Sequence, residues 1–274
     1  MLQDIYPRKI DNQYKNIKPE EDSICIAFNN NAILTNEGEH IIYPKYGEIK
    51  YEIAGYVYLF SIDTVKYFMV DLNCDEILGY EFVPMRKFRS KKPKVEVFAG
   101  MTAYHLYVWY RDNKYCGRCG HVLEHSEDER MLHCDKCNNS VYPKIMPAVI
   151  VGVTNGDKIL VTRYKNSQYK GYALIAGFTE IGETAEETVA REVKEEAGIN
   201  VKNIRYYKTQ PWGIAQDLLL GYFCEVDGDD IITIDEDELA VAEWVSRDEL
   251  EIHYEDISMT NEMIWKFKNN EYGK

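Results

Sequence analysis

Apolar positions in the first part of the chain fall in short alternating or continuous runs, SICIAF, EIAGYVYLFSI and KYFMVDL among them. Runs of that length, separated by Asn- and Gly-containing turns, read as strands. Residues 1–112 are therefore expected to form a strand-rich N-terminal domain. The pattern breaks over 113–142, where two Cys-x-x-Cys pairs sit among Gly, His and Asn. From 143 onward IMPAVIVGVT and KILVTRY flank the turn signal Asn155-Gly156, and ALIAGF, NIRYYKTQ and LLLGYFCEV follow. The stretch from Met259 to Phe267 has helical spacing. Strands interleaved with helices predict an α/β or α+β domain over 143–274.

One helix can be derived in detail. Thr184 followed by Glu187 makes a capping box, with Thr184 as N-cap. Ala185, Val189, Val193 and Ala197 recur every four residues as an apolar stripe, and Gly198 suits the position just past the end. The helix should run from about 185 to 197. At about 100° per residue, Glu192 falls about 60° and Glu196 only about 20° from Val189 around its axis. Glu196 thus lies along the apolar stripe, where a carboxylate is costly to bury alone. With Glu195 beside it, three acids crowd one turn and call for a cation. Arg191 is placed to orient one of them.

The bulk numbers narrow the class. A length of 274 residues suits about two domains of ~100–200 residues. The formal net charge of −14 disfavours non-specific binding to phosphate backbones. No apolar run approaches the ~18 residues of a membrane helix. The start MLQDIYPRKIDNQYKN has no apolar core of a leader, so a cytoplasmic location is expected.

The seven cysteines are odd in number, which argues against a disulfide framework. Four follow Cys116-x2-Cys119-x14-Cys134-x2-Cys137. Two such knuckles can close a tetrahedron of thiolates around one structural Zn²⁺ per chain. A metal-free or disulfide form and an iron centre are the alternatives. His121, His125 and His133 read as bystanders.

The stretch Gly177–Ile199 resembles the full Nudix box, G-x5-E-x7-R-E-U-x-E-E-x-G-U with U aliphatic. Gly177, Glu183, Arg191, Glu192, Val193, Glu195, Glu196, Gly198 and Ile199 fill its fixed positions. The resemblance implies an α/β/α Nudix sandwich with a mixed sheet, an α+β fold. It implies a metal-dependent hydrolase whose Glu192, Glu195 and Glu196 bind Mg²⁺ or Mn²⁺, joined by the Ala176 carbonyl and by Glu238, with Glu236 and Asp237 as near competitors for the last place. Water attacks one phosphorus, and Glu196 or Glu195 assists its deprotonation.

A zinc ribbon ahead of a Nudix domain is similar to the NADH pyrophosphatase subfamily, over most of the chain from about Val83. That subfamily carries S-Q-P-W-P-F-P-x-S after the box. Here Thr209 precedes Gln210, Pro211, Trp212, Gly213, Ile214, Ala215, Gln216 and Asp217. Only the Gln-Pro-Trp core is kept. Gly213 and Ala215 in place of prolines should loosen the loop, and Asp217 adds negative charge near an expected phosphate-bearing ligand. The same resemblance puts Phe178 and Tyr142 around a flat base, and Glu129, Arg86 and Thr260 among substrate contacts. It implies hydrolysis of NAD(H) to NMN(H) and AMP, extending to NAD-capped RNA 5′ ends, in a homodimer. An ADP-ribose or other nucleoside-diphosphate pyrophosphatase, or an inactive ligand-sensing module, are the rival expectations.

Overall fold

The computed structural model describes residues 1–165, 171–234 and 239–272. The chain divides into two compact units, Gln3–Lys144 with Trp212–Gln216, and Met1–Leu2 with Ile145–Pro211 and Asp217–Lys274.

In the first unit a four-stranded sheet is ordered β1-β5-β6-β2, from Ile10–Asp11 (β1), Ile24–Ile26 (β2), Ile53–Ile62 (β5) and Val65–Leu72 (β6). Phe28–Asn29 (β3), Ala32–Asn36 (β4) and Tyr80–Pro84 (β7) form a second, three-stranded sheet. The helices are Tyr46–Ile49 (α1), Met85–Phe88 (α2) and the 19-residue Lys94–Asp112 (α3). The patterning expects strands here and misses α3. Its buried residues, among them Val97, Phe98, Ala99, Gly100, Met101 and Ala103, wind around the helix instead of marking one stripe. Its β-branched and aromatic content also mimics a strand. Pro93 starts it in extended geometry. Glu124–His125 (β8), Leu132–Cys134 (β9) and Asn139–Val141 (β10) complete this unit as a small antiparallel sheet.

The second unit is a mixed sheet in the order β14-β15-β11-β12-β16, with β13 pairing β11. The strands are Met146–Asn155 (β11), Lys158–Tyr164 (β12), Ile175–Phe178 (β13), Val201–Trp212 (β14), Asp217–Val226 (β15) and Leu239–Ser246 (β16). Gly156, at φ 62, makes the turn between β11 and β12. β11 runs parallel to β15 from Met146↔Asp217 to Thr154↔Glu225 and antiparallel to β13 from Ala148↔Phe178 to Val151↔Ile175.

Two helices complete the layers, Ala185–Ala197 (α4) and Met259–Lys268 (α5). Strand alternation divides β11 between them. Val149, Val151 and Val153 join Ile175, Val189, Val193 and Ala197 in one core cluster. Ile150 joins Phe223, Met259, Met263, Ile264 and Phe267 in another. The expected α+β architecture, helices on both faces of a mixed sheet, is the one observed.

α4 occupies the span its sequence signals predict. Thr184 Oγ1 accepts from the Glu187 N–H at 3.2 Å, and the Glu187 carboxylate accepts from the Thr184 N–H at 2.8 Å. Gly198, at φ 73, ends the helix by donating its N–H to the Lys194 carbonyl. Thr184→Ala leaves an N-terminal amide without its acceptor and is expected to cost about 1 kcal/mol. Urea unfolding, with a lower midpoint at unchanged slope, checks it.

Candidate active site

Arg191 organises the exposed side of α4. Its Nε and Nη2 donate to the two oxygens of Glu183 at 2.6 and 3.0 Å, a bidentate pair. Nη1 donates to Glu192 Oε1 at 2.7 Å and to Glu195 Oε2 at 3.0 Å. Nη2 also reaches the Phe178 carbonyl at 2.9 Å, which ties α4 to the end of β13. The guanidinium, together with the Glu180 N–H and the Thr188 hydroxyl, brings the Glu183 carboxyl down to about 2, and the acids raise Arg191. Glu183 stands in the box, but its role as principal anchor of Arg191 is not foreseen. The signal lay in its fixed spacing from the arginine.

The other acids differ in depth. The Glu192 side chain is 12% exposed and that of Glu195 59%. Glu196 is 1% exposed, on the buried stripe with Val189 and Val193. Glu192 packs where a Gly177 side chain would stand, since a Cβ there would overlap its carboxyl group. Gly177 is therefore what lets this acid reach β13.

Arg191, Glu192 and Glu195 form one wall of a cavity of about 460 Å³. Ala148, Ala176, Gly177, Phe178, Glu180, Asp217 and Leu219 supply the rest of its lining. Phe178 is half exposed at the rim. Asp217 is 8% exposed, and burial alone pushes its carboxyl up to about 6.

The remaining expected contacts lie in varied settings. Gln210 is fully buried. Its Nε2 donates to the Ile257 carbonyl at 2.7 Å, and its Oε1 accepts from the Met259 N–H at 2.8 Å. That serves the start of α5, whose first amides lack helical partners, and marks Gln210 as a support. Pro211 belongs to β14 in the same unit, and Thr260 is the second residue of α5.

Trp212, Gly213, Ile214, Ala215 and Gln216 belong to the first unit. There Arg89 lies 5.6 Å from the Trp212 ring centroid. A Cβ on Gly213 would overlap the Met101 carbonyl of α3. Glycine at 213 thus permits close packing on α3. In that unit Tyr142 donates to Glu129 at 3.1 Å, and both are exposed, as is Arg86 in α2. Glu236, Asp237 and Glu238 lie outside the described residues.

The cysteine cluster is compact. Sγ atoms of Cys116 and Cys137, and of Cys119 and Cys134, are 3.5 Å apart. All four fall within 4.8 Å of one another, the one such His, Cys, Asp or Glu grouping among the described residues. Each knuckle closes with a left-handed residue: Gly120 (φ 71) donates to the Cys116 carbonyl, and Asn138 (φ 55) to that of Cys134. His125 stacks on Tyr110 instead of joining the thiols. The spacing suits tetrahedral Zn²⁺.

A family model for the NUDIX domain matches residues 144–263, and one for the NADH pyrophosphatase zinc ribbon domain matches 111–142. The chain therefore carries a Nudix domain behind a zinc ribbon. Proteins named "NAD-capped RNA hydrolase NudC" from Escherichia coli (strain K12 / DH10B) and Escherichia fergusonii are 43% identical over 145 residues, 53% of this chain and 56% of theirs. The chain thus matches little more than half the length of these curated relatives. A NUDIX hydrolase structure from Nitrosomonas europaea aligns with 59% of this chain and 94% of its own, at 21% identity and a TM-score of 0.49.

Two outcomes follow from the packing. Gly177→Ala must displace Glu192, and a shift of about 1 Å at a reacting centre can cost about 10²-fold. Loss of kcat on that scale with an unchanged circular dichroism spectrum is expected. For Asp217, the folded value lies above the roughly 3.9 of an unfolded aspartate. Folding therefore favours the protonated acid. The cost is absent below about pH 4, grows as pH rises through about 6, and reaches roughly 2–3 kcal/mol above it. Metal-free Asp217→Asn should melt several degrees higher than wild type at pH 7.5, with the difference closing by pH 4.

Proposed function

We propose that this chain hydrolyses the pyrophosphate bond of NAD(H), giving NMN(H) and AMP, and that the same bond in NAD-capped RNA 5′ ends is within its range. The observation that carries the reading is the set of acids fixed by Arg191 at the wall of a cavity, beside Gly177 and Phe178 at the end of β13. The zinc ribbon joined to a Nudix domain supports the dinucleotide class, as do relatives named as NAD-capped RNA hydrolases.

Hard carboxylate and carbonyl oxygens suit Mg²⁺ or Mn²⁺. Glu192, Glu195, Glu196 and the Ala176 carbonyl, with Glu238 from the later segment, are the residues that would hold it. Such an ion supplies neutralisation of the diphosphate charge and a lowered pKa for bound water. Arg191 fixes the directions of Glu192 and Glu195. Glu195, the more exposed of the two, has an oxygen free to turn toward the cavity and accept the proton of the attacking water, with Glu196 the alternative base. The oxygen attacks one phosphorus, the bridging P–O bond breaks, and two mononucleotides leave. Phe178 and Tyr142 are the surfaces proposed for base stacking. Arg86, Glu129, Thr260 and the segment from Gln210 to Asp217 complete the proposed substrate contacts, Gln210 acting through α5. The reading includes a cytoplasmic homodimer, supported for the compartment by thiols set for metal and not for disulfides. Among the described residues no helix is long and apolar enough to cross a membrane.

The departures over Gly213–Asp217 favour one second reading, an ADP-ribose or related nucleoside-diphosphate pyrophosphatase. Incubation with Mg²⁺ or Mn²⁺ and, separately, NADH, NAD, ADP-ribose and NAD-capped RNA separates the two. NADH is expected to have the highest kcat/KM of the small substrates. ADP-ribose turning over far faster would replace the reading, and no turnover at all would leave a sensor. Glu196→Gln is expected to lower kcat by about 10²-fold or more.

A further inference from the structure

The cavity has a second acidic end that α4 does not supply. Asp217 opens β15, lines the cavity and is 8% exposed, and its Oδ1 makes no hydrogen bond. A buried acceptor left this way is costly, so its retention calls for a partner that arrives with a ligand.

The register shows where along the cavity that ligand group lies. Asp217 pairs with Met146, Leu219 with Ala148, and Gly221 with Ile150. Across β11, Ala148 pairs with Phe178 and Ile150 with Ala176. Alternation sets Asp217, Leu219, Ala148, Phe178 and Ala176 on one sheet face. Strand spacings place the Asp217 Cα about 12 Å from that of Phe178 and about 16 Å from that of Ala176. Asp217 is therefore remote from Ala176 and Glu192, too far to share their cation. It lies beyond Leu219, where a nucleoside and not the diphosphate would reach. Burial, which disfavours its charged form, is consistent with a group kept for recognition at a cost in stability.

On the dinucleotide reading above, we propose that Asp217 is a specificity-determining residue. It accepts a hydrogen bond from a neutral N–H or O–H donor on the nucleoside end of the substrate and rejects ligands that present an anion there. The donor chemistry is shared by a carboxamide, an adenine amino group and a ribose hydroxyl.

The test measures kcat/KM with Mg²⁺ for the full chain, wild type, D217N and D217S. The substrates are NAD, its deamido form (carboxylate for carboxamide) and nicotinamide hypoxanthine dinucleotide (oxygen for the adenine amino group). The expected result is that wild type discriminates against one analogue by at least about tenfold. D217N should narrow that to within about threefold and lose about tenfold on NAD. If the donor is a ribose hydroxyl, wild type treats the three alike and both variants lose about tenfold on each. Discrimination left intact, or activity within about twofold on all three, overturns the proposal, whatever happens to Tm. Should wild type hydrolyse none of them, the dinucleotide reading fails separately. Calorimetric titration with NMN, nicotinic acid mononucleotide and AMP then decides the role of Asp217: about tenfold weaker binding by D217N supports it, and equal or absent binding overturns it.

Discussion

One guanidinium holds the site together. Glu183, Glu192 and Glu195 would repel one another on a short stretch of chain, and Arg191 bonds all three while gripping the Phe178 carbonyl. Its charge is shared unequally. The bidentate pair goes to Glu183, which takes no part in the cavity lining, while Glu192 and Glu195 each receive a single bond. An anchor on one side and lighter restraints on the other keep the acids directed without neutralising them fully. The same bond to β13 fixes α4 against the sheet, so the packing of the helix and the orientation of its acids are set by one side chain.

The fold makes this arrangement possible through what it leaves out. Gly177 has no side chain, and the Glu192 carboxyl occupies that space. Val189 and Val193, on the adjoining stripe of α4, bury against β11 and β13. The helix is thereby pressed close enough for an acid on its flank to reach across a strand. Apolar burial provides the force, and the glycine provides the opening.

Much of this was legible in the residues themselves. α4 could be bounded from Thr184, Glu187 and Gly198 because capping is local chemistry written in neighbouring positions. The thiol quartet was legible for the same reason, since each knuckle is a turn of a few residues. The long helix α3 was not, because it buries several faces and so lacks the single stripe that periodicity detects. Nor could spacing show that Gln210 supports α5 or that Gly213 packs against Met101. Both depend on segments far away in the chain that meet only in the folded state. The partnerless oxygen of Asp217 is likewise a property of its surroundings and not of its neighbours in sequence.

The parallel ladder between β11 and β15 joins two segments with β12, β13, α4 and β14 between them. Such pairings form after local ones, because a long loop must close before any contact rewards it. A slip of one residue in that ladder would turn Asp217 and Leu219 to the opposite side of the sheet and bring Leu218 and Leu220 in their place. A misregistered chain would keep its box helix and its thiol knuckles while presenting a greasy floor, so native helix content alone is no guarantee of a competent molecule.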